Sequence, residues 1–252
     1  MTNAPALFSH ALRMFFHDPA VTLRVLMPGL LLIFASSVGM AYFMPDQMWS
    51  PTLTPDQVEM IDPSALGGVA LAAFAGLAGY VLTAIFWHRH VLLTGEARET
   101  ALFPGIGVTM GYVWRVILVA IVQFLAALPI LAVAGAVATA LSTLLAGVLA
   151  GIVFFWIALR ISLILPAAAM GRKMKIAESW NATAPMSNDL WGLAAMLGLL
   201  SAVVALVVGG MTAPGTGTNV WLQTASYVVE GLISISILTT LYGHLIEGRP
   251  LG

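Results

Sequence analysis

Arg160 stands alone in the apolar stretch Val153–Gly171, VFFWIALRISLILPAAAMG, and Glu230 stands almost as alone in SYVVEGLIS. Opposite charges in apolar surroundings can form a buried ion pair. With hydroxyls and an amide beside them they can also carry a proton or hold a polar solute. Such groups accompany Glu230: Ser226, Glu230 and Ser234 recur at four-residue spacing, with Gln223 about one turn above. On a helix that spacing makes one polar face. At about 1.5 Å per residue, Glu230 lies near a bilayer midplane and Arg160 about 7 Å from it in depth, which an arginine side chain and modest tilt can bridge. The expectation is an Arg160–Glu230 pair that mainly fixes helix register. The substrate- or ion-path candidates are Arg160, Glu230, Gln223, Ser226 and Ser234. Pro166 lacks a backbone donor, which leaves the carbonyl of Ser162 without its helical partner.

Other chemistry is sparse. His88 and His90 in WHRH have the look of a metal motif, but positions i and i+2 of a helix point about 200° apart. Beside Arg89 they suit lipid headgroups better. They join Arg13, Arg172, Lys173 and Lys175 as interfacial candidates. His244 has no evident partner. HExxH, GxSxG and Walker patterns do not occur. The sequence has no cysteine, which excludes disulfides, thiolate metal sites and cysteine nucleophiles. A net charge of -1 leaves no basic face for nucleic acid. No metal, cofactor or catalytic set is expected. Asn181-Ala182-Thr183 fits a glycosylation acceptor but falls on the expected cytoplasmic side.

The elements that must position these residues are membrane spans. Of the 252 residues 60% are hydrophobic and 8% charged, where soluble domains carry about 25% charged. The expectation is one all-α integral membrane domain over 1–252. Its six spans are expected near 20–44, 66–93, 112–137, 145–170, 190–211 and 220–246. Val116–Leu159 contains no charge and is too long for one crossing, so the chain must turn near Thr139–Thr143. Arg13, Arg24, Arg89, Arg98, Arg115, Arg172, Lys173, Lys175 and Arg249 fall at one set of helix ends. The opposite loops lack lysine and arginine, and the first of them carries Asp46, Asp56, Glu59 and Asp62. By the positive-inside rule both termini are cytoplasmic. Trp87, Trp114, Trp180 and Trp191 near the inner ends, and Trp49 and Trp221 near the outer ones, agree. Gly39-Met40-Ala41 resembles a signal-peptide cleavage site, but the apolar run is long and starts late, so the first span is expected to stay.

Before each odd-numbered span lies a segment suited to the membrane surface: 5–18, GEARETALF and RKMKIAESWNAT. In the first, Phe8, Leu12 and Phe15 form an apolar face opposite Ser9, Arg13 and His17. Three surface-helix-plus-hairpin units would follow. Gly68, Ala72 and Gly76 recur on the second span, and Gly147 and Gly151 form a GxxxG on the fourth. These small-residue faces are expected to pack helices within the bundle, and they also offer an oligomer face.

HALRMFFHDPAVTLRVLMPGLLL, FWHRHVLL, RISLILPAAAMG with AESWNAT, and ILTTLYGHLIEGRPL together resemble a group of six-span inner-membrane proteins of alphaproteobacteria. The layout is more remotely similar to the membrane domain of some glycerophosphodiester phosphodiesterases. The resemblance covers nearly the whole chain and implies a bacterial inner-membrane location and a helical bundle with surface helices. It transfers no active site, because those phosphodiesterases react in a separate soluble domain. The expected function is a non-enzymatic accessory or organising role, with the lipid bilayer and another membrane protein as partners. A transporter of a small polar solute or proton, and a lipid-modifying intramembrane enzyme using Glu230 or His244, are the alternatives.

Overall fold

A computed structural model describes residues 4–44, 62–140, 142–211 and 219–251. Trp49, Asp46, Asp56 and Glu59 lie outside them. The described residues form helices and connections, with no strand. Six helices are long and apolar enough to cross a membrane, which makes this a multi-pass membrane protein. They are α2 (Pro19–Phe43), α3 (Pro63–Leu92), α5 (Ile106–Ala140), the broken pair α6 (Thr143–Ile161) and α7 (Ile164–Ala169), α9 (Ser187–Met211) and α10 (Asn219–Leu245). Shorter helices α1 (Ala4–Phe16), α4 (Glu96–Thr100) and α8 (Ile176–Ala182) each precede a hairpin of spans. A short 3-10 turn, Ala184–Met186, leads into α9.

Local chemistry sets the boundaries. The Oδ1 of Asp18 accepts from the amide of Val21 with Pro19 just inside α2, and Asp62 caps α3 through the amide of Ser64 with Pro63 after it. Both are side-chain caps followed by the ring whose missing N–H costs a helix start nothing. The uncharged stretch turns where expected: α5 ends at Ala140, and Ser142 Oγ caps α6 by accepting from the amide of Leu145.

The small-residue face on α3 packs against α2. Cβ atoms added at Gly68, Gly76 and Gly79 would strike Phe43, Ser36 and the backbone of Gly29 with Ile33 respectively, and Ala72 meets Gly39. Without Cβ atoms the two backbones approach closely enough for dispersion to hold them in lipid. Gly147 and Gly151 depart from the expectation, since among the described residues nothing beyond their own helix lies within 4 Å of a Cβ at either position. The α6–α9 contact forms instead at Gly198, where a Cβ would sit 2.9 Å from Ile152.

The order of one short helix and two spans recurs three times, but the packing does not repeat. Helix α8 lies on α6, whereas α1 lies against α10 and α9. Helix α1 packs inward on a different face from the expected apolar one: it buries Ala4, Leu7 and Ala11, while Phe8 and Leu12 are only partly covered. Ser236 donates to the carbonyl of Ala11 at 2.8 Å, and Phe15 stacks on Trp87 at 4.1 Å. Trp87 is therefore a core residue rather than part of an interfacial belt. Trp114, Trp180, Trp191 and Trp221 keep their exposed positions.

Candidate functional site

Proline decides where Arg160 sits. Pro166 cannot donate to Ser162, and its ring excludes the regular helix there. The break follows: α6 stops at Ile161, and the Ser162 carbonyl is taken by the amide of Leu165 in a tighter i+3 bond of 3.0 Å. Ser179 of α8 repairs the gap. Its hydroxyl donates to the Arg160 carbonyl at 2.7 Å and accepts from the Leu163 amide at 3.2 Å.

Arg160 thus occupies the last turn of a helix rather than the middle of one. Its Nη2 donates to the carbonyl of Trp180 at 2.9 Å and its Nη1 to that of Thr183 at 3.4 Å. The guanidinium carbon lies 4.3 Å from the ring centre of Trp180 and 5.6 Å from that of Trp156. Its Nε has no acceptor among the described residues. Carbonyl dipoles and ring faces neutralise a cation here without a counter-ion. The expected pair with Glu230 does not form; ion pairs are seen instead at Arg172–Glu247, 3.4 Å, and Arg249–Glu247, 2.7 Å. Thr183, in the glycosylation-like triplet, is buried and donates to Ser179 and Trp180 carbonyls.

Two further arginines also donate to backbone carbonyls, and Arg249 has Glu247 as a counter-ion besides. Arg89 donates to the carbonyl of Ala101 through Nε at 2.9 Å and through Nη2, and to that of Ala169 at 2.6 Å. Arg249 donates to the carbonyls of Val91, at 3.0 Å, and Leu92, which end α3. His244, for which no partner was evident, donates from Nδ1 to the Arg249 carbonyl at 2.9 Å. Gly248, at φ +68°, supplies the left-handed residue that turns the chain back.

The headgroup assignment of His88 and Arg89 is also corrected. His88 is completely buried and Arg89 is 9% exposed. Thr239 spends its hydroxyl proton on the carbonyl of Ile235, so His88 Nδ1 is the donor in their 2.7 Å contact. His88 Nε2 then faces the hydroxyl of Tyr112 at 3.5 Å. His90 is half-buried with its ring centre 6.1 Å from that of Trp87, so the two histidines diverge as the helical spacing requires. Arg13, Arg172, Lys173 and Lys175 are exposed.

With Arg160 elsewhere, Glu230 lies on a cleft between α9 and α10 of about 440 Å³, which Phe155 of α6 also lines. Gln223, Ser226 and Glu230 all line it, as their spacing predicted, and Ser234 is half-buried outside the lining. Gln223 lies four residues into α10 and Glu230 eleven, so the polar face runs from about 6 Å to about 16 Å from the Asn219 end of the helix. Ser201 of α9 donates to Glu230 Oε2. Ser201 was not anticipated, because one serine in LLSAVVALVV gives no spacing signal.

No family model matches the chain, and neither a curated protein nor a solved structure matches it.

Proposed function

We propose that the chain is a non-enzymatic protein of the bacterial inner membrane, both termini cytoplasmic, with an accessory or organising role beside another membrane component. One observation carries this reading. The buried cations Arg89 and Arg160 donate to backbone carbonyls of their own chain, and half-buried Arg249 donates to the carbonyls that end α3, so all three tie elements of the bundle to one another. The exposed Arg13, Arg172, Lys173 and Lys175 support placing that end in the cytoplasm, against anionic headgroups. The resemblance to six-span alphaproteobacterial proteins supports the same location.

The Glu230 cleft favours a second reading, uptake of a small polar solute or proton, without Arg160 in the path. Purification in lipid nanodiscs with mass spectrometry of intact complexes separates the two. The accessory reading expects a second protein in fixed stoichiometry. A chain that comes alone, and supports proton-linked solute uptake into vesicles that Glu230→Gln abolishes, overturns it in favour of transport.

A further inference from the structure

Hydrogen-bond polarity around Glu230 defines what its cleft accepts. The Ser226 hydroxyl sits 2.7 Å from the carbonyl of Leu222, which can only accept, so the serine proton is spent on its own helix. The Ser201 hydroxyl spends its proton on Glu230. Both serines therefore offer lone pairs, not protons, to anything else that arrives. The Glu230 carboxylate adds further acceptor sites, since Ser201 occupies one of about four. Among the described residues no arginine, lysine or histidine makes an ion pair with Glu230. Two lining groups, the Gln223 amide and the Tyr227 hydroxyl, supply both donor and acceptor, and the carboxylate and two serines offer acceptors. A ligand rich in donors and without acceptors matches this set, and an alkylammonium, with three N–H groups and one positive charge, is such a ligand.

The walls suit the rest of such a molecule. Val204, Ala205 and Val208 offer aliphatic surface for a hydrocarbon tail, and the rings of Phe155 and Tyr227 border the same space. A ring face beside a carboxylate attracts an organic cation more than a strongly hydrated metal ion. The volume of about 440 Å³ is within the range of small-ligand sites. A negative charge at this depth is costly when unpaired, so an entering cation gains from neutralising it.

We infer that the cleft lined by Glu230, Ser201, Ser226 and Gln223 is a binding site for a primary alkylammonium group, carried by a free amphiphilic amine or by an amine-bearing lipid. The site needs no protein partner and goes beyond the accessory role, which stands or falls on the nanodisc experiment separately.

The test uses the full chain in maltoside micelles, whose uncharged headgroups do not compete. Hexylammonium and hexanol are titrated by calorimetry near neutral pH, after mass spectrometry of lipids retained on extraction. Hexylammonium is expected to bind saturably, one per chain, and hexanol not to bind. Glu230→Gln, nearly isosteric, is expected to weaken hexylammonium by about tenfold or more and Ser226→Ala by about threefold, as lost charged and neutral acceptors do. A retained aminolipid that hexylammonium displaces identifies the lipid source, and saturable binding with no retained lipid identifies the free amine. Equal affinity for hexylammonium and hexanol in the wild type overturns the inference whether or not the variants fold. So does undiminished hexylammonium binding in a folded Glu230→Gln. A co-extracted protein released by Glu230→Gln, with no hexylammonium bound, assigns the cleft to a partner's basic side chain and overturns it as well.

Discussion

An arginine far from water keeps its charge either by reaching the headgroups or by bonding to carbonyls within the protein. Arg160 takes the second course, and the partners come from the chain that follows its own helix. Replacing it with leucine leaves the Trp180 and Thr183 carbonyls without its donors. The expected loss is about 1–3 kcal/mol in denaturant unfolding from mixed micelles. Arg160→Lys should recover only part, since an ammonium cannot present the planar fork. Because Arg160 and Glu230 share no partner, the double-mutant cycle of Arg160→Leu with Glu230→Leu should be additive within about 0.5 kcal/mol; a larger coupling would restore the pair. Ser179→Ala removes a donor and an acceptor from the helix break at once, and should cost about 1–3 kcal/mol by the same assay. Arg160, Pro166, Ser179, Trp180 and Thr183, spread over the phrases RISLILPA and SWNAT, form one arrangement. Their separation by a connecting segment concealed this.

Helix against helix, the strongest sequence signal was the small-residue spacing on α3, and its consequence is measurable. A Cβ at Gly29 would lie 2.6 Å from the Gly79 carbonyl, so Gly29→Ala should force α2 and α3 apart and cost about 1–3 kcal/mol. Gly147→Ala, with open space around it, should be neutral or slightly stabilising through helix propensity. Equal losses at both would contradict the packing. The caps carry a pH signature. The Ser64 amide and hydroxyl hold the exposed Asp62 carboxyl below its ordinary range. Its stabilisation is present above the unfolded pKa and is lost as pH falls through the lowered folded one. Amide-exchange protection at the start of α3, taken relative to the intrinsic rate at each pH, should therefore fall in acid in the wild type, and that acid step should vanish in Asp62→Asn. Pro129 and Pro166 look alike in sequence, yet α5 runs through the first and the α6–α7 pair breaks at the second.

Taken whole, the molecule is a bundle whose N-terminal helix belongs to its core. The face that α1 buries is Ala4, Leu7 and Ala11, and it is bonded through Ser236. Amphipathic scanning favoured Phe8, Leu12 and Phe15 because hydrophobicity scales reward size, while close packing on α10 and α9 needs small residues. Leu7→Ala should lower stability by about 2–5 kcal/mol, a core-sized loss, whereas a helix merely resting on lipid would show almost none. Helix α5 is the opposite case. It buries only Tyr112 and Gln123 in this chain, and at about 52 Å it exceeds the hydrocarbon thickness. It must tilt or extend beyond the apolar layer.

Number of spans, turn position and the polar face of α10 were legible in the amino acids, because they depend on local hydropathy, helical period and neighbours within a turn or two. The partners of the buried charges were not. Arg160 and Glu230 are each drawn to polar groups, but serines and backbone carbonyls can serve as well as an opposite charge. Every residue carries a carbonyl, so sequence alone does not say which is left free to accept. That choice was made by where Pro166 breaks a helix, where α8 folds back, and how far α9 and α10 stand apart around Glu230.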